Sequence, residues 1–98
     1  MNTPEIIATL RDNESSLRAQ GVQHVALFGS RARGDNGPDS DIDIMIEIAP
    51  DVRVDLFKYV AITQYLSDLF PIRVEVADRA TLKPLVRPSA EREAVYAF

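Results

Sequence analysis

The sequence predicts an α/β (α+β) fold, in which a small mixed β-sheet carries helices packed mainly on one face. Segments with the 3.6-residue apolar spacing of amphipathic helices alternate with short β-branched segments, and Pro or Gly residues stand between them. The chain has 98 residues, of which 46% are hydrophobic. We therefore expect a single domain spanning residues 1–98 that buries about two-thirds of its chain surface.

A first helix is predicted between Thr3 and Gly21. Thr3 is the predicted N-cap, because Pro4 then takes the first helical position, where no N–H is needed. Gly21 can end the helix, since glycine suits the backbone conformation that follows a last turn. The residues of its apolar face are Ile6, Ile7, Leu10 and Leu17.

A buried strand from Val22 to Phe28 leads into a turn with a glycine and a hydroxyl. Gly29 lets the backbone approach a ligand closely and adopt a positive φ. Ser30 offers a hydroxyl and a backbone N–H at the start of a short helical turn, residues 30–33, and such N–H groups favour anionic oxygens. Alone, this pattern is also typical of an ordinary strand-to-helix turn.

The segment from Asp41 to Ile48 alternates strictly. Its apolar face carries Ile42, Ile44, Ile46 and Ile48, and the other face carries Asp41, Asp43, Met45 and Glu47. Carboxylates two residues apart on a strand lie roughly 6.5–7 Å apart, which can bracket two divalent ions roughly 3.5–4 Å from each other. Asp is depleted in strands and two on one face repel, so the pattern favours a bound cation over a solvated face. Mg²⁺ is the expected ion, since it prefers oxygen ligands.

The remaining segments complete the predicted sheet. Residues 35–39 indicate a loop, Val54 to Phe70 a second helix, and Ile72 to Val76 a strand. Prolines are expected to break the tail into short turns, and residues 95–98 to form an edge strand. The residues predicted on the buried side of the second helix are Leu56, Val60, Thr63, Leu66 and Phe70.

A two-metal site needs a third carboxylate, and Glu75 is the first candidate. If its strand lies beside the Asp41 strand, Glu75 projects toward the same side as Asp41 and Asp43. The alternative is that Glu75 is simply an ion-pair partner of Arg73. Asp78 is expected to cap the following turn instead, and Glu47 is a further candidate ligand.

The two halves of this pattern resemble the DNA polymerase β-type nucleotidyltransferase superfamily. They read Phe28-Gly29-Ser30-Arg31-Ala32-Arg33-Gly34 and then Ser40-Asp41-Ile42-Asp43. The size and the Arg-Ala-Arg-Gly variant resemble more closely the minimal nucleotidyltransferases of prokaryotes, many of which are MntA-like antitoxins encoded beside a HEPN-domain toxin. The resemblance covers roughly residues 20 to 80 and implies a polymerase β-like nucleotidyltransferase fold.

The resemblance also implies roles for individual residues. By resemblance, Asp41, Asp43 and Glu75 are expected to bind two Mg²⁺ ions and to act in catalysis. Gly29 and Ser30 are expected to bind the β- and γ-phosphates of ATP. Further expected nucleotide contacts are Arg31, Arg33 and Ser40. Each arginine could instead neutralise nearby carboxylates or lie on the solvated surface, and Ser40 also suits the loop before Asp41. In one respect the chain departs from the small members, since their third carboxylate is commonly Asp.

Charge and composition limit the partners. The net charge of −4 argues against nonspecific binding of DNA or RNA, which depends on Lys and Arg. The sequence has no cysteine, no apolar stretch near 18 residues and no charged-then-apolar start, so neither export nor membrane insertion is expected. A cytoplasmic location, away from membranes, is the expectation.

Three functions are compatible with these residues. The first is Mg²⁺-dependent transfer of AMP from ATP to a protein acceptor; by resemblance this is a tyrosine of a cognate HEPN toxin, with which the chain forms a hetero-oligomer. The second is a non-catalytic antitoxin that neutralises its partner by binding. The third is transfer to a small molecule by a subunit whose partner supplies the acceptor site.

Overall fold

The computed structural model describes residues 1–98 as a mixed sheet of four strands with five α-helices, which confirms the predicted fold class. The helices are α1 (Thr3–Asp12), α2 (Glu14–Ala19), α3 (Ser30–Arg33), α4 (Leu56–Asp68) and α5 (Arg87–Glu93). The strands are β1 (Val22–Phe28), β2 (Ile42–Ile48), β3 (Val74–Asp78) and β4 (Val95–Tyr96). A 3-10 turn, Arg79–Thr81, follows β3.

The strand order is β3-β2-β1-β4. β1 pairs antiparallel with both β2 and β4, whereas β2 and β3 run parallel, connected through α4. The C-terminal end of β1 and the N-terminal ends of β2 and β3 therefore lie side by side at one end of the sheet, called here the site edge. The predicted edge strand at the C-terminus is confirmed as β4.

One face of the sheet carries the main core. The β2 isoleucines at positions 42, 44 and 46 are fully buried there, against α1, α2 and α4. The first predicted helix is in fact two, because the Asn13 side chain binds the Thr9 carbonyl oxygen and the Tyr65 hydroxyl at the break. Its N-cap is Asn2 rather than Thr3, and Asn2 forms a capping box with Glu5.

The buried side predicted for the second helix was wrong at two positions. Leu56 and Val60 are 73% and 54% exposed, while the buried stripe of α4 runs through Ile62 and Leu66 to Phe70. The segment offers two apolar stripes at helical spacing, and burial selects only one of them. No helix in the chain is long and apolar enough to cross a membrane.

The opposite face of the sheet is covered by a helix that the sequence did not predict. The small core there joins Ala90 of α5 to Ala26 and Met45 of the sheet. Pro88 was predicted to break the tail, but it lies in the first turn of α5, where a proline needs no hydrogen-bond partner. Helix α5 therefore packs on the face of the sheet opposite α1, α2 and α4.

Candidate active site

The phosphate turn and the carboxylates meet at the edge where β1 ends and β2 begins. Phe28 is the register partner of Asp43, and Asp43 in turn is the register partner of Glu75. Asp41 directly precedes β2. The fold therefore places the Gly29–Ser30 turn, the Asp41–Asp43 segment and Glu75 at the same end of the sheet, although these three segments are separated along the chain.

Gly29 occupies a position that no other residue fits without strain. Its backbone has φ 75° and ψ −155°, a region almost exclusive to glycine. A Cβ there would lie 3.1 Å from the Asp43 carboxyl carbon and collide with its Oδ2. The missing side chain therefore leaves the turn in direct proximity to the Asp43 carboxylate.

The turn closes with two further hydrogen bonds. The Arg33 N–H donates to the Gly29 carbonyl oxygen at 3.1 Å, and the Asp35 N–H donates to the Ser30 carbonyl oxygen at 3.1 Å. Gly34, in the left-handed conformation with φ 82°, ends α3. The half-buried Ser30 begins this single helical turn, directly after Gly29.

The carboxylates act on one another electrostatically. Partial burial raises the pKa of Asp43 above its usual value, and the neighbouring Glu75 and Asp41 charges raise it further, while Arg33 lowers it. A cation bound beside these carboxylates would favour their charged forms and offset the repulsion. The donors at this edge are carboxylate oxygens, which suits a hard divalent cation.

In this structure the positive charge of Arg73 partly compensates the negative charges of Asp41 and Glu75. The exposed Arg73 guanidinium lies 4.0 Å from Asp41 and 3.5 Å from Glu75. The two interpretations of Glu75 thus coexist, since it pairs with Arg73 while sharing the face of Asp43. The carboxylates do not converge into a group of three that is ready to hold a metal ion.

Arg31 and Ser40 lie behind the site. Arg31 is only 4% exposed, and its guanidinium donates to the carbonyl oxygens of Ser40 and Met1. The Ser40 hydroxyl accepts from the Gly37 N–H at 2.9 Å. The contacts of both residues are with the chain itself, so they shape the loop before Asp41.

Arg33, in contrast, is exposed at the site. It pairs with Asp35 and with Glu93 of α5, each at 3.0 Å. Glu93 was missed by the sequence reasoning, because no local signal connects a tail residue to a turn 60 positions earlier. Arg33 therefore links the phosphate turn to the helix that covers this face.

The other candidate ligands have different partners. Asp78 caps the 3-10 turn by accepting from the Ala80 N–H at 2.9 Å, as predicted. Glu47 shares the face of Asp43 but pairs with Arg79 at 2.8 Å. Both lie toward the opposite end of β2 from Asp41, as the register of β2 with β3 shows.

Comparison with known proteins identifies the family to which the chain belongs. The family model of the nucleotidyltransferase domain matches residues 6–97. The chain is a member of this nucleotidyltransferase family. A curated relative, the protein adenylyltransferase MntA of Thermococcus cleftensis, is 32% identical over 93 residues, which cover 94% of this chain and 92% of the relative.

Solved structures share the fold of this nucleotidyltransferase. A minimal nucleotidyltransferase superposes with a TM-score of 0.78 at 27% identity, covering 97% of this chain and 95% of that one. A chain from the complex of a tri-AMPylated Shewanella oneidensis HEPN toxin with an MNT antitoxin gives a TM-score of 0.62 at 19% identity. That match covers 91% of this chain and 70% of the other, and it shows likeness of fold alone.

Proposed function

We propose that this nucleotidyltransferase transfers AMP from ATP to a tyrosine hydroxyl of a HEPN-type toxin and thereby acts as its antitoxin. The observation that carries the proposal is the placement of the Gly29–Ser30 turn against Asp43, with Glu75 as the register partner of Asp43. The relative from Thermococcus cleftensis is named a protein adenylyltransferase. The Shewanella oneidensis complex pairs an MNT antitoxin with a toxin that carries AMP.

The donor set of the site fits Mg²⁺. Asp41, Asp43 and Glu75 supply only oxygen atoms, and their mutual repulsion is what a divalent cation would relieve. These residues would hold two ions together with triphosphate oxygens. When bound, the ions would lower the pKa of the attacking hydroxyl and stabilise the charge that develops on the leaving pyrophosphate.

The chain's own residues divide the remaining tasks. The Ser30 hydroxyl and the N–H groups of the turn bind the β- and γ-phosphate oxygens, and Arg33 leaves its carboxylate partners to contact them. The acceptor oxygen forms a bond to the α-phosphorus while the bond to the bridging oxygen breaks and pyrophosphate leaves. Glu75, the most exposed carboxylate of the three, accepts the proton.

The structure also gives one reason to consider neutralisation by contact. Arg73 lies between Asp41 and Glu75, and no group of three carboxylates is already converged. A chain that kept the fold but held no metal would act on its toxin only by binding it. This second candidate predicts that the carboxylates of the site are dispensable for protection.

Co-expression with a candidate HEPN toxin separates the two functions. Cells should survive with the wild-type chain, and the purified toxin should gain the mass of AMP on tyrosine. The Asp41→Asn, Asp43→Asn double variant should lose both effects. The matched control is Asp39→Asn with Asp51→Asn, which removes the same charge from two exposed positions and should protect normally.

Full protection by the double variant, with no mass added to the toxin, would establish neutralisation by contact and refute the enzymatic proposal. Transfer of radiolabel from α-labelled ATP to a small molecule but not to the toxin would instead favour the small-molecule alternative. In both cases, far-UV circular dichroism of the variants confirms that loss of protection is not loss of fold.

A further inference from the structure

Arg31 is a buried charge without a carboxylate partner. Its side chain is 4% exposed, and none of the ion pairs in the structure includes it. Buried guanidinium groups are usually paired with an acidic side chain, because desolvating a lone charge is unfavourable. Here the guanidinium instead donates to backbone carbonyl oxygens, those of Ser40 and Met1.

The hydrogen bonds of Arg31 converge on the peptide group that precedes the first catalytic aspartate. Nε and Nη2 both donate to the Ser40 carbonyl oxygen, at 3.1 and 2.8 Å. Two donors from one planar guanidinium restrain the orientation of that carbonyl more tightly than one donor would. The Ser40 carbonyl belongs to the same peptide plane as the Asp41 nitrogen, so its orientation directs the chain into β2.

The other hydrogen bonds of the segment between the two halves of the site join near neighbours in the chain, such as Asp35 with Ser30 and Ser40 with Gly37. Residues 34–39 are all exposed, and the loop contains Gly34, Gly37 and Pro38. Arg31 lies immediately after Ser30, inside α3. One side chain therefore connects the phosphate turn directly to the start of the carboxylate strand across this loop.

The other end of the guanidinium reaches the beginning of the chain. Nη1 donates to the Met1 carbonyl oxygen at 3.2 Å, and the Thr3 hydroxyl donates to the Arg31 carbonyl oxygen at 3.1 Å. The start of α1 thus closes over Arg31 and keeps its charge away from solvent. A group enclosed in this way has no free face for a nucleotide.

We propose that Arg31 is a positioning residue, which sets Asp41 and Asp43 relative to the Gly29–Ser30 turn and does not itself contact the nucleotide. The expected effect of Arg31 on catalysis rests on the proposed metal-dependent transfer. The positioning of Asp41 and Asp43 by Arg31 does not depend on that proposal. It assigns the two arginines of the turn different tasks, since Arg33 is exposed at the site and Arg31 is enclosed behind it.

The test is Arg31→Lys, which keeps the charge but removes the two-donor fork. Amide hydrogen exchange, measured without nucleotide or metal, should be roughly tenfold faster or more at the hydrogen-bonded amides of residues 35–42, those of Asp35, Gly37, Ser40 and Ile42, because the loop loses its anchor. Mn²⁺ affinity, measured by electron paramagnetic resonance with a non-hydrolysable ATP analogue, should weaken by roughly tenfold. The transfer kcat should fall by roughly tenfold to a hundredfold, while KM for ATP stays within about twofold.

Thr3→Val is the matched control, because it removes the hydrogen bond to the Arg31 carbonyl oxygen and leaves the guanidinium fork intact. It should lower the melting temperature without changing Mn²⁺ affinity or exchange in residues 35–42. Arg31→Lys with wild-type exchange and Mn²⁺ affinity would overturn the proposal. A large rise in KM for ATP with the loop still protected would also overturn it, in favour of direct nucleotide contact.

A second variant keeps the test decisive if Arg31→Lys does not fold. Replacing the Ser40–Asp41 amide with an ester, by chemical ligation, weakens the Ser40 carbonyl as an acceptor and changes no side chain. Faster exchange in the loop and weaker Mn²⁺ binding are expected again, and wild-type values for both would overturn the proposal. Neither measurement needs an acceptor, so absence of transfer in the wild-type chain would refute the proposed function without affecting this readout.

Discussion

Asp43 and Glu75 are register partners across the parallel pair of β2 and β3, so both carboxylates project from the same face of the sheet. Partial burial, Glu75 and Asp41 together raise the pKa of Asp43. The ionised Asp43 carboxylate therefore lowers the stability of the fold, because its burial and its acidic neighbours both favour the protonated form. Active sites commonly contain charged groups that lower stability, because the reaction requires them.

We expect Asp43→Asn to be more stable than the wild-type chain and inactive. Removing the charge relieves the cost of its partial burial and its repulsion with Glu75 and Asp41. A gain of roughly 0.5 kcal/mol would raise the melting temperature by about 2–4 °C in a domain of this size. Loss of a metal-binding carboxylate should slow AMP transfer roughly a hundredfold or more. Calorimetric melting and radiolabel transfer measure the two effects, with the exposed Asp39→Asn as the control.

The stability difference between Asp43→Asn and wild type should depend on pH. A raised pKa means that the folded chain binds the Asp43 proton more tightly than the unfolded chain, whose pKa is about 3.9. Deprotonation therefore destabilises the fold, and the advantage of the Asn variant should appear as pH rises above about 4 and then level off. Melting curves from pH 3 to 7 in metal-free buffer test this, and a constant difference would contradict it.

Gly29→Ala should affect both the fold and the chemistry, whereas Gly34→Ala should affect only the fold. Both glycines have positive φ, but a Cβ at Gly34 meets no atom within 4 Å, while at Gly29 it collides with Asp43. We expect a loss of about 1 kcal/mol for Gly34→Ala and about 2–4 kcal/mol for Gly29→Ala. Urea denaturation measures the free energy of unfolding of each variant. Equal losses in the two variants would show that the collision with Asp43 does not contribute.

Ser30→Ala should weaken triphosphate binding without unfolding the chain. One hydrogen bond to a charged oxygen contributes about 1.5–3 kcal/mol, so Kd for a non-hydrolysable ATP analogue should rise roughly 10- to 150-fold. Titration calorimetry measures the affinity, and a melting curve checks the fold. Ser15→Ala, on an exposed turn of α2, is the control. Unchanged affinity would mean that the Ser30 hydroxyl does not bind the triphosphate and that Ser30 only begins the helical turn.

Glu75→Gln should bind nucleotide almost normally and fail to turn over. Asp41 and Asp43 remain to hold one ion with the triphosphate, but a neutral amide cannot accept the proton. Glu14→Gln is the matched control, because Glu14 is also a carboxylate paired with an arginine but lies on α2. If Glu75→Gln transfers AMP at the wild-type rate, the third carboxylate lies elsewhere, and Asp78 and Glu47 are the next to test.

The strands and the phosphate turn could be predicted because each has a local signature. Strict alternation gave β2 its two faces, and the Gly-Ser pair after a β-branched run gave the turn. The position of β3 was predicted two residues early, at Ile72 rather than Val74. Strand ends depend on which backbone groups find partners, and this is a property of the whole sheet.

The errors arose where tertiary contacts decide between local alternatives. Helix α5 has a proline in its first turn, and only its packing of Ala90 against Met45 shows that the segment is helical. The choice of stripe on α4 depends on which side meets the sheet. The enclosure of Arg31 follows from contacts with Met1 and Ser40, which its neighbours in the sequence do not indicate.

Parallel pairing of β2 with β3 separates the assembly of this edge into two stages during folding. β1 and β2 are antiparallel neighbours, so a local hairpin can bring Gly29 beside Asp43 early. Glu75 arrives only when α4 has carried β3 back to the sheet, and its repulsion with Asp43 is then added to that of Asp41. A divalent cation that bridges the strands would therefore act late, slowing the detachment of β3 more than it speeds formation of the hairpin.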